Sequence, residues 1–142
     1  MATPEVTMTL ALIKPDAYPK RAEIIEEIKA NGFTIVKMRE EKCTPDLLKV
    51  FYKEHEEKHF FNDLVNFMAS GPIVILALSK VNAVPEWRKL IGPTNSLVAK
   101  EKNPETLRAK YGTDGQCNAC HGSANDDDAK RELGIFFPEL SA

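Results

Sequence analysis

Two short apolar runs restrict this chain more than any other feature. IVILAL at residues 73–78 and MTLALI at residues 8–13 are nearly continuous in apolar character, and both are shorter than an ordinary helix. Runs of that kind suit strands buried in the middle of a sheet. Breakers fix their limits: Pro72 opens the later run, and Lys14-Pro15-Asp16 cuts off the earlier one. FTIVKMR at 33–39 is rich in β-branched residues and predicts another strand.

Helical signals fill the intervals. Ile24, Ile25 and Ile28 share one face of a helix predicted over Glu23 to Ala30, which Asn31-Gly32 stops. Thr44 as cap, Pro45 at the first helical position and Asp46 beside it start a helix that should run to about His55. Further helices are expected over Asn62 to Ala69 and Ala83 to Ile91, ended by Ser70-Gly71 and Gly92-Pro93. Thr94 to Asn103 lacks periodicity and reads as a long loop kept for function or assembly. Asn103-Pro104 begins a short helix closed by Gly112. CNACHGS, residues 117–123, then forms a short strand and turn, and Ser123-x-x-Asp126 resembles the capped start of a helix to about Gly134. Few parallel crossovers fit this order, so the class is α+β, with helices packed on a small sheet.

The 142 residues are expected to form one domain, 1–142, with no repeat or linker. A net charge of −2 provides no general attraction for nucleic acid, so an anionic ligand would need a local cluster of cations. The first residues have no basic stretch before an apolar one, and no run is long enough to span a bilayer. Three cysteines, Cys43, Cys117 and Cys120, cannot all pair within the chain, which suits a reducing compartment and predicts a cytoplasmic protein.

CNACHGS invites a different reading. Cys117-x-x-Cys120-His121 has the spacing of c-type haem attachment, and it could also offer three zinc ligands. A haem iron commonly takes a downstream methionine, yet Met1, Met8, Met38 and Met68 all precede His121; for zinc, the remaining donors Cys43, His55 and His59 lie far back in the chain. The cysteines are better taken as small buried apolar groups. Lys14 in IKPDA, Arg88 and Thr94 in WRKLIGPTN, and Arg108 in LRAKYG form a phosphate-handling set of one ammonium, one hydroxyl and two guanidinium forks. A neutral imidazole is a nucleophile near pH 7 without a base to activate it, and His121 completes the set.

LALIKPDA, FYKEHEEKHFFNDLVNFMASGPIVILAL, WRKLIGPTN, LRAKYG and NACHGSA follow one another in this order. In that order they resemble the successive blocks of the nucleoside diphosphate kinase family, over about residues 7–139, with Asn118-x-x-His121-Gly122-Ser123 as the hallmark. The resemblance implies a ferredoxin-like βαββαβ core with a four-stranded antiparallel sheet. It further implies ping-pong transfer of the γ-phosphoryl group of ATP or another nucleoside triphosphate to a nucleoside diphosphate. By the same resemblance His121 becomes phosphohistidine at Nδ1 and Glu132 bonds its other ring nitrogen. Ser123 caps the following helix and supports Glu132, and Gly122 permits close approach of backbone and phosphate. Lys14 reaches phosphate and ribose, Tyr52 lies beside the histidine, and Arg88, Thr94 and Arg108 clasp the phosphates. Phe60 stacks on the base and Asn118 contacts the sugar. Mg2+ arrives on the nucleotide, with Glu54 assisting through water, and no metal is held by protein side chains alone.

The chain departs from the family pattern at Cys117, where Arg is usual, and at Ala124, where Asp is usual. A shorter segment after Asp16 and a longer loop over 96–104 resemble the ciliary and flagellar branch of the family. A catalytically weak interaction module of a ciliary or cytoskeletal assembly is therefore the alternative to an active kinase. The resemblance implies a homo-oligomer, hexamer or dimer.

Overall fold

The structure is a computed structural model that describes residues 6–93, 95–113, 119–123 and 125–138, with the side chain of Glu54 also outside the description. Its centre is a four-stranded antiparallel sheet. The strands are β1 (Val6–Ile13), β2 (Thr34–Glu41), β3 (Ile73–Val81) and β4 (Cys120–Gly122), in the spatial order β2-β3-β1-β4. With the helices α1 (Arg21–Ala30) after β1 and α4 (Ala83–Ile91) after β3, this is the expected ferredoxin-like arrangement.

Burial explains why the inner strands are apolar throughout. Leu10 and Leu12 of β1 and Ile73, Ile75 and Ala77 of β3 face one core, and the alternate residues Ala11, Ile13, Val74, Leu76 and Leu78 face another. The first core is closed by α2 (Pro45–Phe51), α3 (Phe61–Ala69) and α7 (Asp126–Phe136), and the second by α1 and α4. A strand covered on both sides has no polar face to present.

Local chemistry sets the boundaries, with several departures from expectation. The Thr44 hydroxyl accepts from the Leu47 amide at 3.2 Å, as the cap of α2. That helix ends at Phe51, not His55: Tyr52 is its C-cap and a 3-10 turn, Lys53–His55, follows. The segment expected to be a loop contains α5 (Ser96–Lys102), capped by the Asn95 side chain, which accepts from the Leu97 amide at 2.9 Å. Seven residues are too few to show a helical period, and α5 owes its place to a buried Ala99 and to Lys100, whose ammonium donates to the Ala109 carbonyl. The short helix α6 (Leu107–Tyr111) starts later than Pro104. The cap of α7 is Asn125, which accepts from the Asp128 amide at 2.8 Å; Ser123 is not the cap.

Candidate functional site

β4 brings the site together. In an antiparallel ladder, residues directly opposite one another share a face, and neighbours along a strand take opposite faces. His121 is opposite Leu12, so its ring lies on the side of α2 and α7; Cys120 is opposite Ile13 and joins the other core. Adjacent residues pointing through opposite faces cannot converge on one metal, so the geometry opposes the zinc spacing of the sequence. Burial pushes the Cys120 thiol up to about 12 and the Cys43 thiol up to about 11, and neither offers a thiolate at neutral pH.

The His121 ring is held from several directions. Its Nε2 is 3.0 Å from Oε1 of Glu132, a residue only 4% exposed. The Ser123 hydroxyl donates to that same oxygen at 2.7 Å, so of the two roles expected of Ser123 it has the contact to Glu132 and not the helix cap, which Asn125 supplies. Phe51 and Tyr52 meet the ring edge-on, with centroids 5.1 and 6.5 Å away. The His121 carbonyl accepts from the Trp87 indole N–H at 2.9 Å.

Burial lowers the pKa of His121 from its ordinary 6.5; Glu132 opposes this shift, and the nearby charges of Lys14 and Arg108 add to it. A depressed folded-state pKa means that the unfolded chain binds the proton more readily, so stability is fully present above pH 6.5 and declines as pH falls through the lower folded value. Chemical denaturation across this range should show that decline in the native chain and a shallower one in His121→Gln.

Two guanidinium groups border the site. Arg108 is buried; its Nη1 donates to the Gly92 carbonyl at 2.8 Å and its Nη2 to the Cys120 carbonyl at 3.0 Å. Its Nε is buried with no hydrogen-bond partner among the described residues. Burial, with Arg88 adding to the effect, moves its pKa down to about 10, which leaves it charged at pH 7. Arg88 donates to the Ser123 carbonyl at 3.4 Å. Lys14 is 6% exposed and its backbone N–H bonds the Ala119 carbonyl at 2.7 Å. The Tyr52 hydroxyl is buried without a partner among the described residues, and burial followed by the Glu132 charge raises its pKa, so it remains a donor. Phe60 is 40% exposed, its ring flanked by His55 and His59 at 5.8 and 5.6 Å. Thr94, Asn118, Cys117, Ala124 and the Glu54 side chain lie outside the described residues.

Gly122 has a reason for being glycine that the sequence reading did not supply. A Cβ there would lie 2.8 Å from Cδ1 of Trp87 and 3.1 Å from Cδ1 of Ile91, so the close approach is between β4 and α4. Gly122→Ala should lose about 1–3 kcal/mol by overpacking, measured by urea denaturation, and should weaken the Trp87 bond to His121. Sequence reasoning also missed Trp87 and Phe51 as neighbours of the histidine. Both belong to helices far from residue 121 in the chain, and only the position of β4 relates them to the site.

The nucleoside diphosphate kinase family model matches residues 7–141. The chain belongs to this family. Among relatives, nucleoside diphosphate kinase homolog 5 of Homo sapiens is 47% identical over 135 residues, covering 95% of this chain and 64% of that protein. Homolog 7 of Rattus norvegicus is 44% identical over 92% of this chain and 33% of its own length. The chain thus spans between a third and two thirds of these two nucleoside diphosphate kinase relatives. The crystal structure of the Aquifex aeolicus nucleoside diphosphate kinase superposes with a TM-score of 0.93 at 37% identity, covering 96% of this chain and 99% of that one.

Proposed function

We propose that the chain is an active nucleoside diphosphate kinase that passes a phosphoryl group through His121. The observation that carries this reading is the ring geometry: Nε2 is engaged by Glu132 at 3.0 Å, within a site bordered by Lys14, Arg88 and Arg108. A carboxylate on Nε2 favours the tautomer with its proton there, and Nδ1 keeps the lone pair. That lone pair attacks the γ-phosphorus, the bond to the β,γ-bridging oxygen breaks, and the nucleoside diphosphate leaves. Positive charge gained by the ring is shared through Nε2–H with Glu132. An oxygen of the terminal phosphate of a second nucleoside diphosphate then attacks the phosphorus, the P–Nδ1 bond breaks, and its electron pair returns to the ring as the neutral imidazole.

Phosphoryl transfer depends on positioning and on stabilising charge, which is the part given to Lys14, Arg88, Arg108, Thr94 and the Tyr52 hydroxyl. A cationic cradle suits phosphate oxygens and repels a bare cation, so Mg2+ would enter on the nucleotide and neutralise charge between its phosphates. Exposed Phe60 offers a stacking face that tolerates any base, Asn118 a contact to the sugar, and Gly122 the tight packing that seats the strand. β2 is an edge strand with Val36 and Met38 exposed, which supports a homo-oligomer that covers it, dimer or hexamer. We place the protein in the cytoplasm; association with a cilium or flagellum belongs to the alternative reading of an interaction module. Incubation with γ-labelled ATP and Mg2+ tests the reading: an acid-labile, alkali-stable phosphoenzyme should form and discharge to GDP. Absence of the labelled species would instead leave the catalytically weak interaction module.

A further inference from the structure

The site described above uses Lys14 of the IKPDA motif and leaves Asp16 without a task. Asp16 reaches Ala119, the residue that leads into β4. Ala119 has φ 71°, and the other non-glycine residue of positive φ among those described is Asn82, whose side chain tolerates that region as alanine's does not. Ala119 is fully buried, so water cannot compensate its backbone. Both of its polar groups are bonded by the segment after β1: the Lys14 amide donates to its carbonyl at 2.7 Å, and its own amide donates to Oδ2 of Asp16 at 3.0 Å.

We infer that Asp16 is a positioning residue for His121, bonding the Ala119 amide so that a disfavoured left-handed turn sets the register of β4. The consequence for chemistry lies in the two-residue period of a strand. A slip of one place would turn Cys120 toward Glu132 and drive His121 into the apolar core against Ile13 and Trp87. The clamp also relates the nucleophile to Lys14, because one short segment bonds both sides of Ala119 and carries the ammonium whose charge acts on the ring. Asp16 acts here through the backbone.

The rate arm of the test rests on the kinase reading, and the spectroscopic arm does not. Asp16→Ala, Ala119→Gly and the double variant would be compared with the native chain by imidazole 1H–15N correlation spectra of His121 and by phosphoenzyme formation against ATP concentration. Asp16→Ala should lose the single Nε2–H tautomer and slow phosphoenzyme formation about ten- to a hundredfold, the scale of a small misplacement, with the half-saturating ATP concentration little changed. Ala119→Gly alone should match the native chain. The double variant should regain both signals, because glycine adopts positive φ unaided. An unchanged His121 spectrum in Asp16→Ala, or a double variant as impaired as the single one, overturns the inference. If Asp16→Ala fails to fold, recovery of the fold by Ala119→Gly supports the clamp and continued failure overturns it. A native chain that does not label removes the kinase reading, and the ring spectra still decide the clamp.

Discussion

His121→Gln should abolish the phosphoenzyme and lower nucleotide exchange by at least about 10⁴-fold, the scale on which loss of a covalent nucleophile is felt. The amide has no nucleophilic lone pair comparable with that of imidazole, but it is similar in length and can still approach Glu132. The fold should therefore survive: at pH 7 the change in unfolding free energy is expected to stay within about 1–2 kcal/mol. The His121 side chain is 19% exposed and flanked edge-on by Phe51 and Tyr52, and no other aromatic ring meets it among the described residues. Single-turnover labelling, with circular dichroism to verify the fold, measures both quantities. Full labelling of the variant would mean that another residue takes the phosphoryl group.

Arg108→Ala is expected to be the second most damaging change, and it should harm rate and stability together. Removing a preorganised charge from a phosphoryl-transfer site slows the step about 10²–10³-fold. Yet Arg108 also bonds the carbonyls of Gly92 and Cys120, and a buried acceptor left without a donor costs about 1–3 kcal/mol. The two losses separate experimentally because they have different temperature dependence. Far below its lowered Tm the variant is fully folded, and any deficit in phosphoenzyme formation measured there belongs to the chemistry. A variant that transfers at the native rate in the cold while melting early would reduce Arg108 to a brace.

The two continuous apolar runs correspond to β1 and β3 because such runs have few other places in a fold, and IVILAL lies between two helical layers as its composition demands. Helices with strong caps were similarly legible: Thr44-Pro45-Asp46 starts α2 where expected. What escaped were features settled by tertiary contact. α5 is a helix because Ala99 is buried and Lys100 bonds Ala109, which no seven-residue pattern reveals. Ser123 looked like a cap because serine three places before an acid usually is one, but a second candidate, Asn125, lay two residues on and took the role. That left the serine hydroxyl for Glu132. The relation of His121 to Glu132 was accessible through family resemblance alone, since the two lie eleven positions apart on different elements.

The alternation along β4 keeps two roles apart. Cys120 belongs to the core that supports the domain, while His121, the next residue, looks into the opposite compartment. A substitution at the histidine therefore leaves the packing of that core untouched, so the proposed chemistry and the architecture are open to change independently.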